Sequence, residues 1–319
     1  MPSSNIVAAI DKARRENVGE KRRGHLGASS IGGRCLRQAW YGFRWAYEEN
    51  HLGRVRRLFD RGHEEEFRFN RYLRAAGFEV LDYSERLCYS PTQADAGSDY
   101  LYRCVPWHDD VPIHYTDVSN DAAHIALANA AGQGPKQWCF TDHRGHFAGS
   151  SDGMIRGPGL PEGWGGLEEK THSDKSFKLL VKSGVLTSKP VHYVQMQIYM
   201  HYFGLNWTLY IAVNKNDDEL YAEIVYYKKE VALYHIDNAK KVVESRLPPM
   251  RITDDPSWFE CKFCAFREQC HYQTRPEKNC RSCAFSETAV DGKWHCNKFN
   301  SILPDDFIPN GCDSWLGIT

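Results

Sequence analysis

Two acidic side chains and a lysine stand in an order that suits phosphodiester hydrolysis: Asp152 in GSSDG, then Glu168 and Lys170 in LEEKT. Such hydrolysis must neutralise charge growing on the phosphoryl oxygens and activate a water. Paired carboxylates holding one or two Mg2+ or Mn2+ ions do the first. A neighbouring lysine orients the water or takes up transition-state charge. Side chains alternate along a strand, so Glu168 and Lys170 share one face and Glu169 takes the other. Asp152 closes the preceding strand, and a hairpin brings it beside Glu168. An E-x-K pair on a strand is common by itself. Its weight here comes from the glycine-flanked aspartate before it and the helix after it.

Three further residues extend this set. His63, in GHEEE, is a candidate metal ligand whose neutral imidazole suits Mn2+ better than Mg2+. Phe59, His63 and Phe67 recur every four residues, which predicts one shared, inward-facing stripe. Gln195 and Tyr199, in QMQIY, are four apart and fall on one helix face. The polar rim of an amphipathic helix has the same spacing.

The chain has 11 cysteines. Cys261-x2-Cys264-x5-Cys270 is spaced as ligands to a soft metal, with a fourth ligand needed from elsewhere and both zinc and iron–sulfur open. Cys280-x2-Cys283-x12-Cys296-x15-Cys312 lies in a tail with Trp294, Phe299 and Trp315 and little else to make a core. That suits a small zinc-stabilised knuckle. His271 or His295 can substitute for one ligand, and unpaired thiols or a second cluster are the alternatives. Cys88, Cys104 and Cys139 lack metal-like spacing and read as buried free thiols. His108, His114, His143, His146 and His172 carry no motif.

The residues in GHEEE, GSSDG, LEEKT and QMQIY resemble the RecB/AddB/Cas4-like branch of the PD-(D/E)XK nucleases. THSDKSFKLLVKSGVLTSKPVHYVQMQIYM is similar to phage-encoded members. The resemblance covers roughly residues 25–275, with 91–135 unmatched. It implies metal-binding roles for His63, Asp152 and Glu168, a catalytic Lys170, and a Q-x-x-x-Y motif, Gln195 and Tyr199, near DNA and the active site. Members with a [4Fe–4S] cluster place one cysteine before the nuclease core and three after it. That layout makes Cys35 the fourth ligand beside Cys261, Cys264 and Cys270, stapling the ends of the core together.

The elements needed to position these groups can be read from pattern. Helices are predicted over 5–17, from a cap at Ser29 or Ser30 through Cys35, Trp40 and Trp45, and over 52–75 ending at Gly77. Residues 78–89 suggest a strand. QWCFTD and FAGSSDGMI form a hairpin about HRGH, and LEEKTH is the next strand. SFKLLVKSGV and VHYVQMQIYMHYFG are helical, WTLYIAVNK and ELYAEIVYY a second hairpin, and 230–246 a helix. The expected organisation is an N-terminal helical segment (1–55), an α/β restriction-endonuclease-like core with a mixed sheet flanked by helices (56–250), an iron–sulfur segment (251–275) and a four-cysteine zinc module (276–319). Residues 91–135, with a short helix near 119–131, read as an insertion over the site.

Hydrophobic residues are 42% and aromatics 13% of the chain, enough for a packed core and against disorder. Net charge is −1, so no global basic signature marks nucleic-acid binding. Residues 1–61 nevertheless hold thirteen Lys and Arg against six Asp and Glu, which suits phosphate tracking or a solvated helical surface equally. No apolar run reaches about 18 residues and the first residues lack a secretory apolar stretch, so no membrane partner and a cytoplasmic setting are expected. If the gene is phage-borne, that setting is the host cytoplasm. The expected partner is DNA, as single strands or ends, with a recombination or replication protein as a further one. Rival readings are a structure-specific or CRISPR-adaptation-like endonuclease, an RNA nuclease, and a DNA-binding scaffold with little activity.

Overall fold

The computed structural model describes residues 4–16, 22–48, 51–81, 88–89, 116–117 and 138–318. Nearly all of the expected insertion, 91–135, lies outside them, as do Cys104, His108, His114 and the helix expected near 119–131.

The central sheet has five strands in the order β10-β9-β8-β7-β2. These are β2 (Glu79–Leu81), β7 (Gly153–Arg156), β8 (Gly165–His172), β9 (Trp207–Asn214) and β10 (Leu220–Tyr226). In this sheet β8 and β9 run parallel and the other pairs are antiparallel. A parallel pair needs a crossover, supplied by α5 (Asp174–Ser188) and α6 (Pro190–Phe203). All eight residues of β9 are buried, as expected of a strand covered on both faces.

One face packs on α4 (Gly53–Ala75) through Phe69, Leu73, Leu167, Leu209, Ile211 and Val213. The other packs on α5 and α6 through Leu180, Met196, Ile198, Tyr210 and Ala212, and α7 (Lys229–Glu244) lies on α6. The architecture is therefore mixed α/β, with a mixed sheet flanked by helices. Helix α6 starts at a proline, whose fixed φ suits the first turn. It ends at Gly204, whose φ of 67° is the left-handed cap glycine adopts freely. Nine of its residues are buried, because the sheet lies on one side and α7 with α2 (Ala28–Ile31) on the other.

A second sheet, in the order β1-β6-β5, joins β1 (Leu26–Gly27), β5 (Trp138–Asp142) and β6 (Phe147–Ser151). The expected single strand FAGSSDGMI is thus two: β6 belongs to this sheet, β7 to the central one, and Asp152 is the residue between. The pair β3 (Cys88–Tyr89) and β4 (Thr116–Asp117) stands apart. A C-terminal sheet joins β11 (Ser286–Thr288), β12 (Trp294–Cys296) and β13 (Ser301–Leu303).

Two further expectations are corrected. No helix runs from a Ser29 or Ser30 cap through Trp45. Both serines lie inside α2, α3 (Leu36–Phe43) starts after Cys35, and Trp45 sits past its end with φ 51°. The Gly32-Gly33 pair after α2 separates the two helices. Phe59, His63 and Phe67 do share a face of α4, but it is exposed. The inward stripe is Glu65, Phe69, Asn70 and Leu73, displaced by two residues. A helix next to a polar site turns part of its apolar stripe toward the cavity, and periodicity alone does not say which.

The C-terminal segment is bound into the N-terminal one. Arg281, 1% exposed, donates to the carbonyls of Arg23 (3.3 Å), Gly24 (3.0 Å) and Phe43. Its guanidinium lies 4.5 Å from the Trp45 ring centroid and 4.7 Å from those of Phe43 and Trp294. Arg44, also buried, donates to Cys283 and Ser286 carbonyls at 2.8 and 3.0 Å. Trp294 therefore joins the main core, whereas Phe299 is exposed. Among the described residues no helix is long and apolar enough to cross a membrane.

Candidate active site

Asp152, at the switch from one sheet to the other, accepts a hydrogen bond from the Glu169 backbone N–H at 2.9 Å on Oδ2. Gly153 pairs with Leu167 in the β7–β8 hairpin, so Asp152 arrives beside Glu168 as the sequence suggests. The Lys170 ammonium bridges the two carboxylates, 2.6 Å from Glu168 Oε1 and 3.1 Å from Asp152 Oδ2. It also donates to the Glu169 carbonyl at 2.9 Å. Behind Glu168, Gln195 donates to its Oε2 at 3.5 Å and to the Tyr199 hydroxyl at 3.2 Å. Tyr199 reaches this position because β6 is stripped to a glycine beneath it: a Cβ on Gly149 would lie 2.6 Å from its ring.

Electrostatics follow from crowding. Glu168 is fully buried; burial pushes its pKa up to about 7, Asp152 and Glu66 push the same way, and Lys170 opposes them. Burial likewise pushes Glu66, on α4, up to about 7; Asp152 adds to this and Lys170 opposes. Burial alone would lower Lys170, but Asp152 and Glu168 outweigh it and hold the ammonium well above its ordinary value. Burial, then Glu168 and Asp152, keep the Tyr199 phenol neutral. Among the described residues, three carboxylates thus share one ammonium, a donor set short of positive charge.

The structure brings together Asp152, Glu168, Lys170, Gln195 and Tyr199. His63 lines an adjoining cavity of about 630 Å3 with Glu66, Lys170, His172, Lys189 and His192. Glu66 is the candidate residue that sequence reasoning passed over. Its signal was present, three positions after His63 on the same helix face. His146 belongs elsewhere. It is fully buried, bonds the Ala289 carbonyl at 2.9 Å and packs on Phe43 and Trp294.

Cys35, Cys261, Cys264 and Cys270 line one small cavity, and Cys280, Cys283, Cys296 and Cys312 line another of about 400 Å3. Burial and then the neighbouring thiols raise Cys261 and Cys264 and push Cys280 up to about 11. A cation that neutralised thiolates would relieve both sets. Among the described residues, however, no group of three or more His, Cys, Asp or Glu is arranged to hold a metal ion as it stands. At the carboxylates the neutralising charge comes instead from Lys170. The Cys35 cavity measures about 20 Å3.

The raised carboxylates have a thermodynamic consequence. Glu66 and Glu168 keep their protons to about pH 7 when folded and, at their ordinary value of 4.5, lose them earlier when unfolded. The metal-free protein should therefore lose stability as pH rises from about 4.5 to about 7. A divalent ion favours the ionised forms, so the rise in melting temperature caused by Mg2+, on the order of millimolar excess, should be larger at about pH 8 than at about pH 5.5. Equal rises would show that the ion binds elsewhere.

No protein-family model matches the chain, and no curated protein matches it. Among solved structures, it is similar to the crystal structure of SSO0001, with 15% identity over 83% of this chain and 96% of that one and a TM-score of 0.40. It is also similar to an alkaline exonuclease, LHK-Exo, from Laribacter hongkongensis, with 15% identity, 69% and 87% coverage and a TM-score of 0.38. The same exonuclease in complex with dAMP aligns with 15% identity, 74% and 90% coverage and a TM-score of 0.34. Likeness at this level carries no argument about chemistry.

Proposed function

We propose that the chain is a divalent-metal-dependent DNA nuclease with a PD-(D/E)XK-type site, acting as an exonuclease on single strands or DNA ends in phage recombination, replication or DNA breakdown. The observation that supports this most is the Lys170 ammonium held between Asp152 and Glu168 at the edge of an open cavity. Asp152 and Glu168, with His63 and Glu66 at the cavity, would hold Mg2+ or Mn2+. The ion would polarise a phosphoryl oxygen and acidify a water. Lys170 orients that water and takes up transition-state charge. Gln195 steadies Glu168, and the neutral Tyr199 hydroxyl completes the contact behind it. The test is digestion of linear, circular and single-stranded DNA with Mg2+ or Mn2+, comparing wild type with Asp152→Ala. Absence of divalent-dependent cleavage on every substrate by wild type sinks the reading. Cutting of circles would shift it to an endonuclease.

The same reading assigns iron–sulfur to Cys35, Cys261, Cys264 and Cys270, and zinc to Cys280, Cys283, Cys296 and Cys312. Anaerobically purified protein should then be brown, absorb near roughly 400 nm and lose iron but keep zinc on Cys35→Ser. Colourless protein whose zinc falls in that variant would instead place a zinc ion at both sites.

A further inference from the structure

Away from the carboxylates, the same cavity carries a different set of groups. Lys189 is the residue before Pro190, at the start of the 14-residue helix α6. Its Nζ lies 2.5 Å from Ser176 Oγ. Ser176 in turn meets His172 Nδ1 at 3.4 Å, and His172 Nε2 and His192 Nδ1 both meet the Tyr210 hydroxyl, at 2.8 and 3.0 Å. All five lie near one end of the cavity, beside Lys170, and Lys189, Ser176, His172 and His192 line it.

The set is one-signed. Lys189 is half-buried and, among the described residues, no carboxylate reaches it; its polar partner is a hydroxyl. The charges acting on His172 are Lys189, Lys170 and Lys215, and those on His192 are Lys170, His172 and Lys189, with no acid in either group. Burial draws down Lys189, His172 and His192 alike. Of the two lysines on the cavity wall, Lys170 is matched by its carboxylates and Lys189 is not.

We propose that Lys189, Ser176 and His192 form a phosphate subsite, which holds a second phosphate of the nucleic-acid strand while Lys170 attends the scissile one. This rests on the nuclease reading and adds substrate register to it. The phosphate is either the diester flanking the cleaved bond or a terminal monoester. Either supplies the anion that Lys189 lacks, and a compact ammonium with a hydroxyl and an imidazole matches three phosphoryl oxygens without base discrimination.

The test is fluorescence anisotropy of a labelled single-stranded 12-mer on whole protein, read as affinity against salt. Lys189→Gln should weaken binding about tenfold and lower the salt slope by about 0.7, one phosphate contact on a single strand. Ser176→Ala should act in the same direction, Lys189→Arg should keep the slope, and Lys182→Gln, an exposed lysine on α5, should change neither. A methylphosphonate at the flanking position, or removal of the terminal phosphate, should then weaken wild type and leave Lys189→Gln untouched. Whichever does so names the phosphate. If Lys189→Gln keeps affinity and slope while the protein still cuts DNA, the subsite is wrong and the nuclease stands. If wild type neither binds nor cuts DNA, both fall.

Discussion

Changing Lys170 to alanine is expected to slow DNA cleavage about a thousandfold while DNA affinity changes less than about threefold. The ammonium contacts two carboxylates and a carbonyl inside the protein, so its loss takes away help to the reacting centre rather than a grip on the strand. A second effect separates this from simple damage. Without divalent ions, the variant leaves Asp152, Glu168 and Glu66 with no compensating cation, and it should melt below wild type. Saturating Mg2+ should restore most of that loss without restoring cleavage. Near-normal turnover in the variant would remove the hydrolytic role of the site. Failure of Mg2+ to recover its melting temperature would mean the carboxylates hold no ion.

The largest effect on stability is expected at Arg281. Its guanidinium is enclosed by three aromatic rings and bonds three backbone carbonyls of residues 23–43. Alanine leaves a cavity and strands those carbonyls, together costing about 4 kcal/mol. For a chain of this size, that lowers the melting temperature by about 8 °C. Lysine keeps the charge but not the planar fork or the stacking, so it should recover less than half. A drop under about 2 °C for the alanine variant would show that the C-terminal segment is an appendage. Burial, then the nearby Arg44 and Arg22, draw the Arg281 pKa well down.

Local pattern exposed much of this design. Pro190 and Gly204 bracket α6, and alternation places Glu168 and Lys170 together. What pattern missed depends on partners distant in sequence. Asp152 looks like the middle of one strand because both of its halves alternate correctly; only pairing with β1 and β5 on one side and β8 on the other divides it. The four-residue period of Phe59, His63 and Phe67 is real but faces outward, since the core of α4 includes Glu65 and Asn70, residues usually left to solvent. Glu66 was hidden in a run of three glutamates. Nothing in KNCRSCAF announces that its arginine is the most enclosed cation of the described chain.

The Arg281 cage also orders events in synthesis. It joins partners some 240 positions apart, as do the bonds from Asn279 to the Trp45 carbonyl and from Glu277 to Ala46. A nascent chain stopped after β10 already carries Asp152, Glu168 and Lys170, and β1 and α2 already have β6 and α6 to pack on, yet the carbonyls of Arg23, Gly24 and Phe43 still lack the guanidinium that binds them. The hydrolytic groups are therefore translated well before the cage around Arg281 can close.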